Sequence, residues 1–93
     1  MSRHPDYDEI WQRFTKKGRV TSLPKSWEKR AIVLDHIVQV FEPGKPYPEK
    51  RVNELLKPFH DDFAMLRRYL VDEGFMDREG GVYRRAGGTW EVE

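Results

Sequence analysis

Residues 52–85, VNELLKPFHDDFAMLRRYLVDEGFMDREGGVYRR, constrain the fold of this chain more than any other stretch. Val52, Leu55, Leu56 and Phe59 recur at i, i+3, i+4 and i+7, which places them on one face of a helix. Pro58 cannot continue that helix, and Asp61 or Asp62 can cap the free N–H groups of the next. In this second helix Phe63, Leu66 and Leu70 form the core face, flanked by Val71. Gly74 suits the left-handed residue that follows a helix. Residues 75–78 and 82–85 then flank Glu79-Gly80-Gly81, a turn whose glycines supply positive φ. The pattern is helix, tight break, helix, hairpin.

Upstream, the periodicity predicts two more helices. The first covers 6–17, with Tyr7, Ile10, Trp11 and Phe14 as its apolar stripe. Asp6 and Glu9 stand in the capping-box relation at its start, and Gly18 offers a stop. Residues 19–24 read as a short extended connector or edge strand. The second covers 26–41, closed by Glu42-Pro43-Gly44. Its expected buried face is Trp27, Ala31, Leu34, Val38 and Phe41, widened by Ile37, while Ile32 points toward another element. Pro46-Tyr47-Pro48 sets an extended residue before a helix that has Pro48 at its first position. The tail 87–93 either frays or docks through Trp90 and Val92.

This order gives an α+β, mainly α, class: a winged helix-turn-helix with an extra N-terminal helix and a C-terminal β-hairpin wing. One domain spans 1–93, with 19–86 as the winged-helix core. At 38% hydrophobic content, 93 residues can bury roughly 60–65% of the unfolded surface, enough for one core. The absence of cysteine excludes disulfides and thiolate metal sites. Apolar runs reach three or four residues, far from the ~20 that span a bilayer. The start, MSRHPDYDE, has no hydrophobic segment behind its basic residue. A cytoplasmic protein without a membrane partner is the expectation.

A fold of this kind often sets its second helix into a DNA groove, so DNA is the expected partner. The candidate contacts are Arg67, Arg68, Arg78, Arg84 and Arg85, with Lys16, Lys17 and Arg19 as a basic run ahead of the core. At ~100° per residue, Asp61, Met65, Arg68 and Asp72 point outward, and Arg67 sits at the boundary, able to read a base or to fold over the wing. The charge balance argues the other way. Charged residues are 35% of the chain but sum to only +1, and residues 61–73 carry four acids against two arginines. On the structural reading Arg68 simply pairs with Asp72, and the hairpin is an ordinary solvated one. The position of Asp61, Asp62 and Asp72 relative to helix and wing separates the two readings.

The motifs also resemble a known family. Tyr47-Pro48-Glu49, Val52-Asn53-Glu54-Leu55-Leu56, Asp62, Leu66-Arg67-Arg68-Tyr69-Leu70-Val71-Asp72, Arg78 and Gly81-Val82-Tyr83 resemble the bacterial family called domain of unknown function 2087. The resemblance implies a winged-helix fold and a regulatory neighbourhood, since members occur alone or joined to helix-turn-helix regulators of the ArsR type. A second likeness is to the N-terminal domain of DeoR-type repressors. Met65-Leu66-Arg67-Arg68-Tyr69-Leu70, Gly74-Phe75 and Arg78-Glu79-Gly80-Gly81 keep that domain's arginine and glycine pairs. They lack its threonine and aspartate.

No catalytic or cofactor constellation emerges. His60-Asp61-Asp62 with His36 or His4 lacks metal-ligand spacing, so a helix-capping His60 is the expectation. No serine stands in a Gly-x-Ser-x-Gly context, and the Gly-Gly pairs lack a following lysine and helix. The runner-up is a protein-interaction or ligand-sensing module that does not bind DNA. For it, Tyr7, Trp11, Phe14 or Trp90 would anchor a protein partner or homodimer, although the same stripe can close the core instead.

Overall fold

The computed structural model describes residues 5–86. In chain order these form α1 (Tyr7–Arg13), β1 (Thr15–Lys16), β2 (Arg19–Val20), α2 (Trp27–Val38), β3 (Tyr47–Pro48), α3 (Glu49–Leu56), α4 (Phe63–Asp72), β4 (Met76–Glu79) and β5 (Val82–Arg85). The result is a small α+β fold with two small antiparallel sheets. Trp90 and Val92 lie outside the described residues.

Helix α2 is the centre of the packing. Ile32, Val33, Leu34, Ile37 and Val38 are all fully buried, so apolar side chains cover most of its circumference. That pattern follows from its position, with α1 on one side and α4 on another. Ile32 is therefore core. Trp27, expected to be core, is 69% exposed. It is the first helical residue, and long helical side chains lean toward the N-terminus, so its ring overhangs the end of the core. The helix also stops at Val38. The N–H groups of Val40 and Phe41 donate to Ile37 and Val38 at 3.2 and 3.0 Å, a three-residue tightening that still delivers Phe41 to the core.

Helix α1 is shorter than its periodicity predicts. It ends at Arg13, and Lys16 and Lys17 belong to a hairpin instead of a helix. Lys17 (φ 53°) and Gly18 (φ 80°) supply the paired positive angles of a two-residue hairpin turn. Thr15 Oγ1 meanwhile donates to the Trp11 carbonyl at 2.7 Å and closes the helix end. The stripe of α1 faces α2: Tyr7 and Ile10 are buried, and Trp11 and Phe14 pack against the core. Asp6 holds the N-cap position, but its side chain makes no capping bond. The hydroxyl of Tyr7 donates to the fully buried carboxylate of Asp35 and accepts from Gln39 Nε2 at 3.0 Å. A buried carboxylate needs such donors, so this contact fixes α1 on α2.

The second sheet has the order β3-β5-β4. Tyr47 and Pro48 face Tyr83 and Val82 of β5, which pairs on its other edge with β4. Pro48 ends this edge strand in extended backbone (φ −67°, ψ 155°), and Glu49, not Pro48, is the first helical residue of α3. No helix among the described residues is long and apolar enough to cross a membrane.

The exposure of Trp27 and the burial of Leu34 predict opposite costs. In urea denaturation, Leu34→Ala should lower stability by about 2–5 kcal/mol, and Trp27→Ala by no more than about 0.5 kcal/mol.

Candidate functional site

Helix α4 and the β4–β5 hairpin converge because the helix is closed at both ends. At its start Asp62 accepts from the Met65 N–H at 3.1 Å, and His60 Nδ1 accepts from the Asp62 N–H at 2.8 Å. At its end Gly74 takes φ 85°. The N–H of Phe75 there bonds the Leu70 carbonyl at 2.8 Å, and that of Gly74 bonds Val71 at 3.1 Å. This double closure reverses the chain directly into β4. Gly80 (φ 58°) and Gly81 (φ 80°) then return it as β5.

Strand register sorts the hairpin side chains. Arg78 lies opposite Tyr83 and Met76 opposite Arg85. Since Met76 and Tyr83 are buried, Arg78 shares the helix-facing side. Asp77, Glu79, Val82 and Arg84 share the other. On α4, burial of Leu66 and Leu70 leaves Ala64, Arg68 and Asp72 exposed. Between these surfaces lies a cleft of about 380 Å³, lined by Glu49, Ala64, Arg67, Arg68, Val71, Asp72, Arg78 and Tyr83.

Glu49 is the hub of the cleft. One carboxylate oxygen accepts from the Tyr83 hydroxyl at 3.3 Å, and the other lies 3.6 Å from Arg67. Arg67 also donates to the side-chain oxygen of Asn53. Three elements, α3, α4 and β5, are thereby joined through one polar chain. Arg78 stands over the Tyr83 ring with 5.9 Å between guanidinium carbon and ring centroid. Among the described residues, neither Arg68 nor Arg78 has a carboxylate within 4.0 Å, so the Arg68–Asp72 pair read from the sequence does not form.

The eight basic residues singled out from the sequence separate accordingly. Arg67, Arg68 and Arg78 line the cleft. Arg67 folds toward α3 rather than over the wing, and its side chain is only 21% exposed. Arg84 stands on the outer face of the hairpin, opposite Asp77. Arg85 is half-buried and donates to the Phe41 carbonyl at 3.1 Å. Arg19 binds the carbonyls of Lys57 and Pro58 and pairs with Asp61 at 2.9 Å. Lys16 and Lys17 are exposed on the first hairpin, which is fixed to the α3–α4 turn by Val20 N–H donating to the Phe59 carbonyl at 2.7 Å. Of the acids, Asp61 and Asp62 turn to Arg19 and the helix cap, and Asp72 lines the cleft. Sequence periodicity missed Glu49, Asn53 and Tyr83 as site residues, although all three fall within the family-like motifs. No group of three or more potential metal ligands occurs among the described residues.

Residues 19–85 match the family described as "Uncharacterized protein conserved in bacteria (DUF2087)". The chain belongs to this family. No curated protein and no solved structure gives a significant match. The matched region begins after α1 and β1 and contains the whole cleft. Of the polar motif residues of this DUF2087 protein, Glu49, Arg67, Arg68, Asp72, Arg78 and Tyr83 line the cleft and Asn53 bonds to Arg67, whereas Tyr47, Glu54, Asp62 and Tyr69 lie elsewhere.

Adjacent arginines should therefore behave differently. Arg67→Ala should cost about 1.5–3 kcal/mol in chemical denaturation, because it breaks charge-assisted bonds in a half-buried chain. Arg68→Ala should change stability by no more than about 0.5 kcal/mol.

Proposed function

We propose that this protein is a non-catalytic winged helix-turn-helix domain that binds duplex DNA in a transcription-regulatory role. On this reading α2, α3 and α4 are the three helices, β4–β5 is the wing, and α4 is the helix that enters the groove. The order of elements supports it, as does β3, which joins the hairpin into a three-stranded sheet. The observation that carries the proposal is the pair Arg68 and Arg78. One is on the exposed face of α4 and the other on the hairpin, and neither has a carboxylate partner among the described residues. Free guanidinium groups on both walls of a cleft can each take a backbone phosphate.

The remaining cations divide between contact and support. Arg84 on the outer hairpin face, and Lys16 and Lys17 beside the α3–α4 turn, extend the phosphate track. Arg67, Arg19 and Arg85 hold the scaffold through the bonds described above, so base reading does not fall to Arg67. Asp72 narrows the tolerated approach of a polyanion, which makes the expected affinity modest and strongly dependent on salt.

A second reading is a protein-interaction module, favoured by Trp27. Its exposed ring lies beside Ala31 and Phe75 on a groove also lined by Arg30 and by Asp72, which it shares with the cleft of Arg68 and Arg78. Tryptophan is a common interface anchor. Tyr7 cannot serve in that way, being buried against α2, and Trp11 stacks on His36 at 4.6 Å.

Fluorescence anisotropy with random duplex DNA separates the readings. Affinity should fall steeply from about 50 to 200 mM salt, and Arg68→Ala plus Arg78→Ala should flatten the logarithmic salt slope by about two. No binding at the lowest salt contradicts the DNA reading.

A further inference from the structure

The cleft has more shape than a passing phosphodiester requires. A backbone phosphate is held by exposed cations and needs no depth. Here Arg68 and Arg78 line a half-open cleft of about 380 Å³, within the size range of small-ligand sites. Its lining includes the apolar residues Ala64 and Val71, and Glu49, whose carboxylate accepts from the Tyr83 hydroxyl. Convergent polar groups with an apolar wall are what orient a small molecule.

The charges define the ligand. Glu49 accepts from the Tyr83 hydroxyl and lies 3.6 Å from Arg67, so this pair adds no net charge to the cleft. Asp72 remains exposed, against the two arginines that have no carboxylate partner among the described residues. Local surplus charge is positive, and guanidinium forks suit tetrahedral oxyanions. We infer that this cleft binds a small phosphate monoester, its phosphate between Arg68 and Arg78 and its organic part against Ala64 and Val71, and that this ligand and duplex DNA exclude one another. The exclusion rests on the DNA-binding reading; the ligand site does not.

The test uses the full chain, ¹⁵N-labelled, titrated with inorganic phosphate and with phenyl phosphate at constant ionic strength. Phenyl phosphate should give saturable amide shifts at Ala64, Val71 and Tyr83, and bind about fivefold more tightly than inorganic phosphate because its ring covers the apolar wall. Arg68→Ala plus Arg78→Ala should weaken both by about tenfold or more. Neither side chain forms an ion pair among the described residues, and the denaturation midpoint of the double variant checks that the fold is kept. Ala64→Leu, which fills the wall and spares the arginines, should abolish the preference for phenyl phosphate. In the anisotropy assay, phenyl phosphate should displace DNA beyond the effect of chloride at equal ionic strength.

Absence of saturation, or equal binding by the double arginine variant, overturns the ligand site. Simultaneous binding of DNA and phenyl phosphate overturns the exclusion. Arginine-dependent phenyl phosphate binding in a protein that never binds DNA supports the ligand site and removes the DNA reading alone.

Discussion

The carboxylate of Glu49 sets the geometry on which the candidate site depends. Pro48 fixes the backbone just ahead of it and ends the edge strand against β5. Glu49 then opens α3, where a negative side chain is favoured by the positive end of the helix dipole. From that position it reaches Tyr83 on the hairpin and Arg67 on α4, and Arg67 continues to Asn53. Helices α3 and α4 and strand β5 are thus tied by one polar chain in which Tyr83 is buried, Arg67 and Asn53 are half-buried, and Glu49 is partly open to water. The tie adds to the helix-end closure that brings Arg68 and Arg78 to one cleft.

Net charge is a poor guide to such a surface. A chain of +1 looks unsuited to a polyanion, yet the charges are not equally available. Arg19, Arg30, Arg67 and Arg85 are held by carbonyls, carboxylates or amides of the scaffold. Asp61 and Asp62 are occupied in the same way, by an arginine and by helix N–H groups. What remains around the cleft is a small positive surplus with Asp72 at its edge. A helix that looks acidic in sequence thus carries one arginine, Arg68, without a carboxylate partner among the described residues, and the hairpin beside it carries another, Arg78.

The sequence made much of the scaffold legible, because periodicity and punctuation act locally. The apolar stripe of α4, that of α3 as far as Leu56, the cap at Asp62, the left-handed Gly74 and the glycine turn of the hairpin stand where residue chemistry places them, while Phe59 reaches the core from beyond the end of α3. Failures came where tertiary context decides. Trp27 fits the stripe of α2 but sits too near the helix start to reach the core. Lys16 and Lys17 continue a plausible helix, and only the pairing of Thr15 with Val20 reveals a hairpin. The site was half visible: arginines announce themselves, but whether each is free or bonded depends on partners as distant as Asn53 and Phe41. Glu49 and Tyr83 carry no local mark of their joint role, since 34 positions separate them.

On the proposed reading, the outer face of α4 and the helix-facing side of the hairpin act as one anionic-ligand surface. Amide chemical-shift mapping of the ¹⁵N-labelled protein with a short random DNA duplex tests it most directly. Perturbed residues should cluster on Ala64, Arg68, Arg78 and Tyr83, with little change around Trp27, Ala31 and Phe75. Perturbations confined to the Trp27 groove, or spread without a cluster over the exposed lysines, would contradict it.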